Sequence, residues 1–233
     1  GAYHGHGLSF QKLTPRQRRE CTAAYYAMIE LLDEQTGRIL AALDETGQTE
    51  NTLVIFMSDH GEMLGDHGIY WKGCYFYEPL VRVPLILCWP GHFPAGVRSD
   101  ALVELHDLAP TLLQLAGLEV PERMQARSLL PLLTGAADAS EHRQHVLCEY
   151  YRCLGGAPPD AHGTMLCDGR YKICVYHHSE PGELYDLQED PEEYHNLWDD
   201  PGYAALKLEL LKRCLDAAVV QTLDPWPPQR MAF

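Results

Sequence analysis

The chain has 233 residues, and 33 acidic residues against 18 basic ones give it a formal net charge of −15. That balance excludes a nucleic-acid-binding protein built on a basic surface, and no apolar run reaches the roughly 20 residues that a membrane-spanning helix needs. An enzyme acting on anions would need a local cation, either a metal or well-placed Lys and Arg residues, because the whole molecule repels anions.

The first predicted element is a long amphipathic helix. Its start is indicated by Thr14, which can cap the helix, by Pro15 in the first turn and by Gln17, which completes a capping box. Apolar residues recur at helical spacing as far as Leu43, and Gly47 follows where a helix would end. We expect the apolar stripe of this helix to face a core.

Two continuous apolar runs follow, at residues 52–57 and 83–89, and the first is rich in β-branched residues. Such runs are typical of strands buried on both faces, which favours a parallel sheet. A short third strand is predicted at 102–105, and Asp107 is placed to cap a helix over 107–115. The alternation of strand and helix predicts an α/β fold containing part of a mainly parallel sheet flanked by helices.

The sequence changes in character at a run of small residues, 136–140, which is typical of a linker. Four short strand-like segments follow at hairpin-like spacing, and Asp168-Gly169 is the clearest turn between them. These segments are residues 146–151, 164–167, 171–176 and 183–187. An amphipathic helix predicted over 204–220 could cover the resulting sheet.

These elements predict two domains with a boundary near residue 138. Residues 1–137 are expected to form the C-terminal part of a large α/β domain. Residues 138–233 are expected to form a small α+β subdomain, in which a small antiparallel sheet is followed by a C-terminal helix.

The eight cysteines are scattered and contain no Cys-x-x-Cys or zinc-type spacing. A disulfide framework is not expected in a chain of this length, so we expect small, buried core thiols. Reduced thiols indicate a reducing compartment, which favours a cytoplasmic protein. A targeting segment upstream of Gly1 would change that expectation.

The densest polar cluster, Ser-Asp-His-Gly-Glu, comes directly after the first apolar run. The carboxyl ends of strands are where α/β sheets place their sites. Asp59 and His60 are metal-ligating residue types, and Gly61 lets the backbone turn sharply and approach a ligand closely. Lys72 would add a positive charge able to hold the oxygens of a tetrahedral anion. Two ligands are too few to fix a metal, so others would have to come from elsewhere.

A structural interpretation of the same residues stays open on composition alone. In that interpretation Asp59 caps a turn, His60 is a surface imidazole and Lys72 is solvated.

Four histidines outside this cluster favour a structural interpretation. His4 and His6 are flanked by glycines and are expected in a poorly ordered terminus. His177 and His178 end a predicted strand of the small subdomain and are expected at the surface.

Residues 58–91, SDHGEMLGDHGIYWKGCYFYEPLVRVPLILCWPG, resemble the sulfatase family of the alkaline phosphatase superfamily. That family repeats S-D-H/N-G, then G-x-H-G, a Lys, R-V-P-L-I and a closing P-G. Similarity to the family continues on both sides of this stretch. It includes residues 25–37, 107–113, 129–133, 183–187 and 190–197. The resemblance covers nearly the whole chain and implies a sulfatase-like large domain with the small subdomain after it.

The resemblance implies roles for four residues. Asp59 and His60 are similar to the second pair of metal ligands, the first pair being acidic residues near the family's N-terminus. Lys72 is similar to the lysine that contacts the sulfate and the leaving-group oxygen, and His67 to a histidine that lines the substrate pocket. The implied metal is calcium, with manganese as the alternative because an imidazole suits it better.

The chain departs from the family at its nucleophile, a formylglycine made from Cys or Ser in a C/S-x-P-x-R motif. Cys88 begins Cys-Trp-Pro-Gly-His, in which His92 stands where the motif needs Arg. No strand with the family's acidic pair is found in residues 1–50. We therefore expect the C-terminal portion of a sulfatase, inactive alone, with the formylglycine and half of the metal site in a missing N-terminal part.

The expected substrate is a sulfate ester, and the other expected partners are the missing N-terminal portion or a second copy of the chain in a homo-oligomer. Neither a nucleic acid nor a membrane is expected as a partner. Two other functions stay open: a phosphonate monoester or phosphodiester hydrolase of the same superfamily, and a non-catalytic binding domain. Unpaired strand edges also predict poor solubility of the isolated chain.

Overall fold

The computed structural model describes residues 13–151, 162–178 and 182–222. They form two compact units, residues 13–97 and the described residues from 98 onward. The domain boundary predicted near residue 138 falls inside the second unit and stays a prediction. His4 and His6 lie outside the described ranges. Within these ranges, none of the helices combines the length and the apolar character needed to cross a membrane.

The long helix predicted first is confirmed as α1, Pro15–Glu45. Its capping box is complete, since Gln17 N donates to Thr14 Oγ1 over 3.3 Å and Thr14 N donates to Gln17 Oε1 over 2.9 Å. The expectation that its apolar stripe faces a core is wrong, because no residue of α1 is buried and Leu32 and Ile39 are each 63% exposed. The described residues of the first unit leave that stripe uncovered.

The two apolar runs form strands β1, Val54–Met57, and β2, Leu85–Cys88. They pair with each other in antiparallel orientation, so the expectation of a parallel sheet is wrong for this pair. The only α-helix between them is the four-residue α2, Glu78–Val81. A parallel pair needs a longer crossover connection, usually an α-helix. The expectation that both faces of these strands are buried is also wrong within the described residues, since Phe56 is 43% exposed and Ile86 58%. A continuous apolar run carries no information on strand direction.

The second unit begins with an extended segment and two helices, α3, Leu108–Leu115, and α4, Leu130–Leu133. The strand predicted at 102–105 is wrong, since these residues join no sheet among the described residues. Asp107 precedes α3 as predicted but does not cap it with its side chain. Its carboxylate accepts instead from the backbone N–H groups of Glu104 and Arg127.

The predicted antiparallel sheet and C-terminal helix are confirmed. Four strands lie in chain order in the sheet: β3, Val146–Tyr151; β4, His162–Cys167; β5, Tyr171–His177; and β6, Glu183–Asp186. The predicted turn joins β4 to β5, and Gly169 has a positive φ of 94° there.

Helix α5, Ala204–Thr222, packs against this sheet. One side chain from each strand forms a row across the sheet that buries itself with residues of α5. The row and its helix partners are Leu147, Leu166, Ile173, Leu184, Leu210 and Cys214. The α/β class, with a small antiparallel sheet and its C-terminal helix, is therefore confirmed.

The expectation of buried, unpaired cysteines is confirmed in part. All seven described cysteines are free thiols, and Cys74, Cys167, Cys174 and Cys214 are buried. Burial raises the pKa of Cys214 to about 11, which keeps this thiol protonated and unreactive at neutral pH. The remaining described cysteines are half-buried or exposed.

Candidate active site

The polar cluster follows β1 directly, and a close backbone approach shapes it. Gly61 N donates to Leu80 O over 2.9 Å, which joins the loop to α2. A Cβ atom on Gly61 would lie 1.8 Å from Pro79 O, far inside van der Waals contact. Only glycine leaves enough space at this position. The atoms that come close to it are backbone atoms of Pro79 and Leu80, in the same unit.

Asp59 and His60 present two ligand atoms close together. Asp59 Oδ2 lies 3.5 Å from His60 Nε2, and Asp59 Oδ1 accepts from His60 N over 3.0 Å. Ser58 Oγ donates to His60 O over 2.7 Å, which further fixes this backbone. The Asp59 side chain is 84% exposed and that of His60 is 39% exposed, so both are accessible to a ligand.

Hydrogen bonds determine the tautomer of His60. Its Nδ1 lies 2.9 Å from Gly61 O, and since a carbonyl oxygen only accepts, Nδ1 carries the proton. Nε2 is then the acceptor for Lys72 Nζ, 2.6 Å away. The structure thus brings together three of the predicted site residues, two ligand types and one cation.

His67 is held in an unusual backbone conformation, with φ 52°. Gly65 and Gly68 beside it also have positive φ values, 107° and 70°. The imidazole stacks on the ring of Tyr77, with centroids 3.9 Å apart and planes 13° from parallel. This contact fixes the position of the ring, and its assignment to a substrate pocket stays a prediction.

The sequence analysis missed a second group of ligand-type residues. Glu104, His106 and Asp107 place one ligand atom each within 4.8 Å of one another, the only such group of three found among the described residues. Arg143 already supplies positive charge there, because its guanidinium contacts Glu104 and lies 2.5 Å from both Asp107 oxygens. A divalent cation would have to displace it, so we interpret this group as a structural ion-pair network.

Burial sets the electrostatics of this network. The Asp107 side chain is fully buried, and desolvation is the main cause that raises its pKa. The N–H of Arg127 and the positive charges of His106 and His142 oppose that shift. Glu104, His106 and Asp107 lie within four consecutive residues, so this local cluster was visible in the sequence. Their partners Arg127, His142 and Arg143 lie 20 or more positions from Asp107, and no local motif indicates them.

Comparison with known families matches the chain over most of its length. Residues 65–220 match the family model described as N-sulphoglucosamine sulphohydrolase, C-terminal. Residues 3–118 match the family model described as Sulfatase.

Individual proteins of known sequence or structure also match most of the chain. The multifunctional alkaline phosphatase superfamily protein PehA of Trinickia caryophylli is 35% identical over 224 residues, covering 91% of this chain and 43% of that protein. The N-acetylglucosamine-6-O-sulfatase of Bacteroides thetaiotaomicron is 33% identical over 189 residues, 81% of this chain and 34% of the relative. The solved phosphonate monoester hydrolase of Silicibacter pomeroyi has a TM-score of 0.79 at 32% identity, covering 94% of this chain and 45% of that one. The chain spans less than half the length of each.

Proposed function

Since the chain belongs to the sulfatase family of the alkaline phosphatase superfamily, we propose that it is the portion of a sulfuric ester hydrolase that brings Asp59, His60 and Lys72 to the active site. The observation that carries this proposal is the convergence of the three side chains. The Asp59 carboxylate lies 3.5 Å from the His60 imidazole, which accepts from the Lys72 ammonium over 2.6 Å. The exposure of Asp59 leaves this convergence open to a ligand.

The donor atoms fit a divalent metal as two of its ligands. Asp59 Oδ2 is a carboxylate oxygen, and the His60 tautomer leaves Nε2 as the coordinating nitrogen. The Gly61 carbonyl that accepts from Nδ1 plays the orienting role that backbone carbonyls have behind metal-bound histidines. When bound, the metal supplies positive charge to the sulfate oxygens. We propose calcium, with manganese as the alternative because of the imidazole.

Lys72 supplies the second positive charge of the proposed site. Its ammonium has three N–H donors, and one of them is directed at His60. In the proposed reaction the ammonium leaves His60 Nε2, the atom that the metal takes, and donates to a sulfate oxygen or to the oxygen that leaves the sulfur, where negative charge grows. The metal and Lys72 would together offset the repulsion between an anionic substrate and a chain of net charge −15.

A phosphonate monoester hydrolase is the second candidate function. The solved phosphonate monoester hydrolase covers 94% of this chain, and PehA is described as multifunctional. A phosphonate ester presents the same tetrahedral anion, so Asp59, His60 and Lys72 serve either reaction. A comparison of two aryl esters separates them.

The test uses the protein in which this chain is joined to the rest of the family fold. We expect turnover of 4-nitrophenyl sulfate to exceed that of 4-nitrophenyl phenylphosphonate, whereas the reverse order would favour the second candidate. Lys72→Ala should lower kcat by about 10²-fold or more. The control is Lys212→Ala, which removes an exposed lysine of α5. Full activity of both Lys72→Ala and Asp59→Ala would leave the non-catalytic binding domain as the better interpretation.

A further inference from the structure

Three histidines lie at one end of the small antiparallel sheet, in the second unit. In the ladder, His162 of β4 is directly opposite His177 of β5 on one side and Tyr151 of β3 on the other. Directly opposite residues project from the same face, with Cβ atoms about 4.5–5.5 Å apart. The two imidazoles are therefore neighbours by register, although 15 residues separate them in the chain.

A chain of hydrogen bonds fixes the orientation of His177. Tyr151 Oη donates to Glu149 Oε1 over 2.7 Å, and Thr164 Oγ1 donates to the same oxygen over 3.3 Å. His177 Nε2 lies 2.9 Å from Thr164 Oγ1. Because the hydroxyl proton of Thr164 is directed at Glu149, Nε2 carries a proton and donates it. The coordinating lone pair of His177 is then on Nδ1.

This arrangement is the one found behind metal-bound histidines. In such sites the ring nitrogen that does not bind the metal donates its proton to a buried acceptor, which fixes the tautomer and the ring plane. Thr164 is 2% exposed and is itself tied to a carboxylate, so it is a rigid acceptor. This relay of hydrogen bonds, from His177 through Thr164 to Glu149, holds the ring of His177 in one orientation.

A third imidazole approaches the pair. The ring of His178 lies 6.4 Å from that of His162, centroid to centroid. With Zn–N bonds of about 2.0–2.1 Å, two imidazoles on one zinc have ring centres roughly 5–6 Å apart. As the side chains stand, the three histidines do not place one ring nitrogen each within 4.8 Å of one another. Metal binding therefore requires the exposed side chain of His178 to turn toward the other two.

We propose that His162, His177 and His178 form a binding site for a divalent transition metal of the zinc class. Neutral imidazoles are preferred ligands of zinc, copper and nickel, whereas calcium and magnesium prefer oxygen. The carboxylate of Glu149 adds negative charge behind the site, and the net charge of −15 favours the approach of cations. The proposed ligands are different residues from Asp59 and His60, and the proposal does not depend on the proposed sulfatase function.

The test is a zinc titration of the full chain carrying Asp59→Asn and His60→Gln, which removes the other candidate metal site. Isothermal titration calorimetry should detect one zinc per chain that is lost in His177→Gln. His178 is exposed, so His178→Gln keeps the fold and should weaken zinc binding at least severalfold. The control is His195→Gln, an exposed histidine of the same unit, and it should bind as the parent does.

A variant behind the ligands tests the relay. Thr164→Val should weaken zinc binding by about 10- to 100-fold, and Thr164→Ser should restore it. In ¹⁵N spectra of the imidazoles, zinc should shift Nδ1 of His177 while its Nε2–H persists. Zinc binding that survives both His177→Gln and His178→Gln would place the metal on other histidines and overturn the proposal. Because Asp59 and His60 are already substituted, either result leaves the sulfatase assignment to its own experiment.

Discussion

The Lys72 ammonium donates to His60 Nε2 over 2.6 Å, so a cation of the protein engages the lone pair that a metal would use. The other ring nitrogen is committed to Gly61 O, and Nε2 is therefore the nitrogen open to competition. Asp59 lies on the same side of the ring, with Oδ2 3.5 Å from Nε2. A metal held by Asp59 and His60 must displace Lys72, which would release the ammonium toward a substrate.

Replacing this lysine should therefore tighten metal binding while it removes catalysis. In the protein that joins this chain to the rest of the family fold, we expect Lys72→Met to raise the affinity for Mn²⁺ by about two- to tenfold, the equivalent of one hydrogen bond. Titration followed by electron paramagnetic resonance of free Mn²⁺ measures this affinity. Lys212→Met, on the exposed face of α5, is the control and should leave the affinity unchanged. Weaker Mn²⁺ binding by Lys72→Met would show that the lysine supports the metal instead of competing with it.

The glycine of the polar cluster should be intolerant of any side chain. A Cβ atom on Gly61 would lie 1.8 Å from Pro79 O and 2.9 Å from its carbonyl carbon, and backbone atoms cannot move aside cheaply. We expect Gly61→Ala to destabilise the first unit by about 1–3 kcal/mol, as overpacking does, and to displace the neighbouring Asp59 and His60. Urea unfolding measures the first effect and Mn²⁺ affinity the second.

The matched control is a glycine with open space around it. Gly37 lies in the interior of α1, and apart from its chain neighbours and the nearby helix backbone, no atom lies within 4 Å of where a Cβ would stand. Gly37→Ala should therefore stabilise α1 by about 0.5–1 kcal/mol, because glycine is the poorer helix former. If Gly61→Ala were as well tolerated as Gly37→Ala, the close approach to Pro79 would not be a constraint on the site.

Local signals predicted the elements of this fold, and non-local pairing accounts for the errors. Helix α1 begins at Pro15 because Thr14 and Gln17 form a capping box, and a stretch of four residues is enough to recognise it in the sequence. The direction of β1 relative to β2 depends on how the chain returns between them, and residue types within a strand do not encode it. The burial of the α1 stripe likewise depends on what covers it, as the 63% exposure of Leu32 shows.

The functional residues likewise fall into two kinds: neighbours in the chain, which the sequence predicts, and residues distant in the chain, which it does not. Asp59 and His60 are adjacent in the chain, so their proximity was predictable, and Lys72 follows within one loop. The bond from Arg143 to Glu104 spans 39 positions and the relay from Thr164 to His177 spans 13, and neither produces a local pattern. Only the register of the strands and the path of the chain bring those groups together.

The second unit should be sensitive to the loss of one partner of a buried ion pair. Lys172 Nζ lies 2.7 Å from Glu193 Oε1, and each side chain is 1% exposed. Lys172→Met leaves the Glu193 carboxylate buried without this partner, which should cost about 3–5 kcal/mol in urea unfolding. The double variant Lys172→Met/Glu193→Gln removes both charges and should recover at least half of that loss.

An exposed pair in the same unit is the comparison. Lys212 and Asp216 form an i,i+4 pair on α5, with side chains 69% and 58% exposed. Lys212→Met should cost less than about 1 kcal/mol, because solvent screens such pairs. Equal losses for Lys172→Met and Lys212→Met would mean that burial does not strengthen the dependence of the fold on Lys172.

Acid should destabilise the second unit through His145. Burial lowers the pKa of this imidazole first, and the positive charges of Arg213, Arg143 and Arg127 lower it further, against a smaller opposing effect of Asp168. A histidine whose pKa is lower in the folded state contributes stability above the unfolded value of about 6.5, and that contribution is lost as the pH falls below it.

We therefore expect His145→Gln to lose less stability than the parent chain when the pH falls through about 6.5. Urea midpoints measured at a series of pH values on both sides of that point give the slope of stability against pH. The control is His195→Gln, which replaces an exposed histidine paired with Asp190. The neutral glutamine keeps a polar side chain of similar size but takes up no proton, so the stability of the variant lacks this component of the acid dependence. A pH slope identical in His145→Gln and the parent would show that burial and the three arginines do not keep His145 neutral in the folded state.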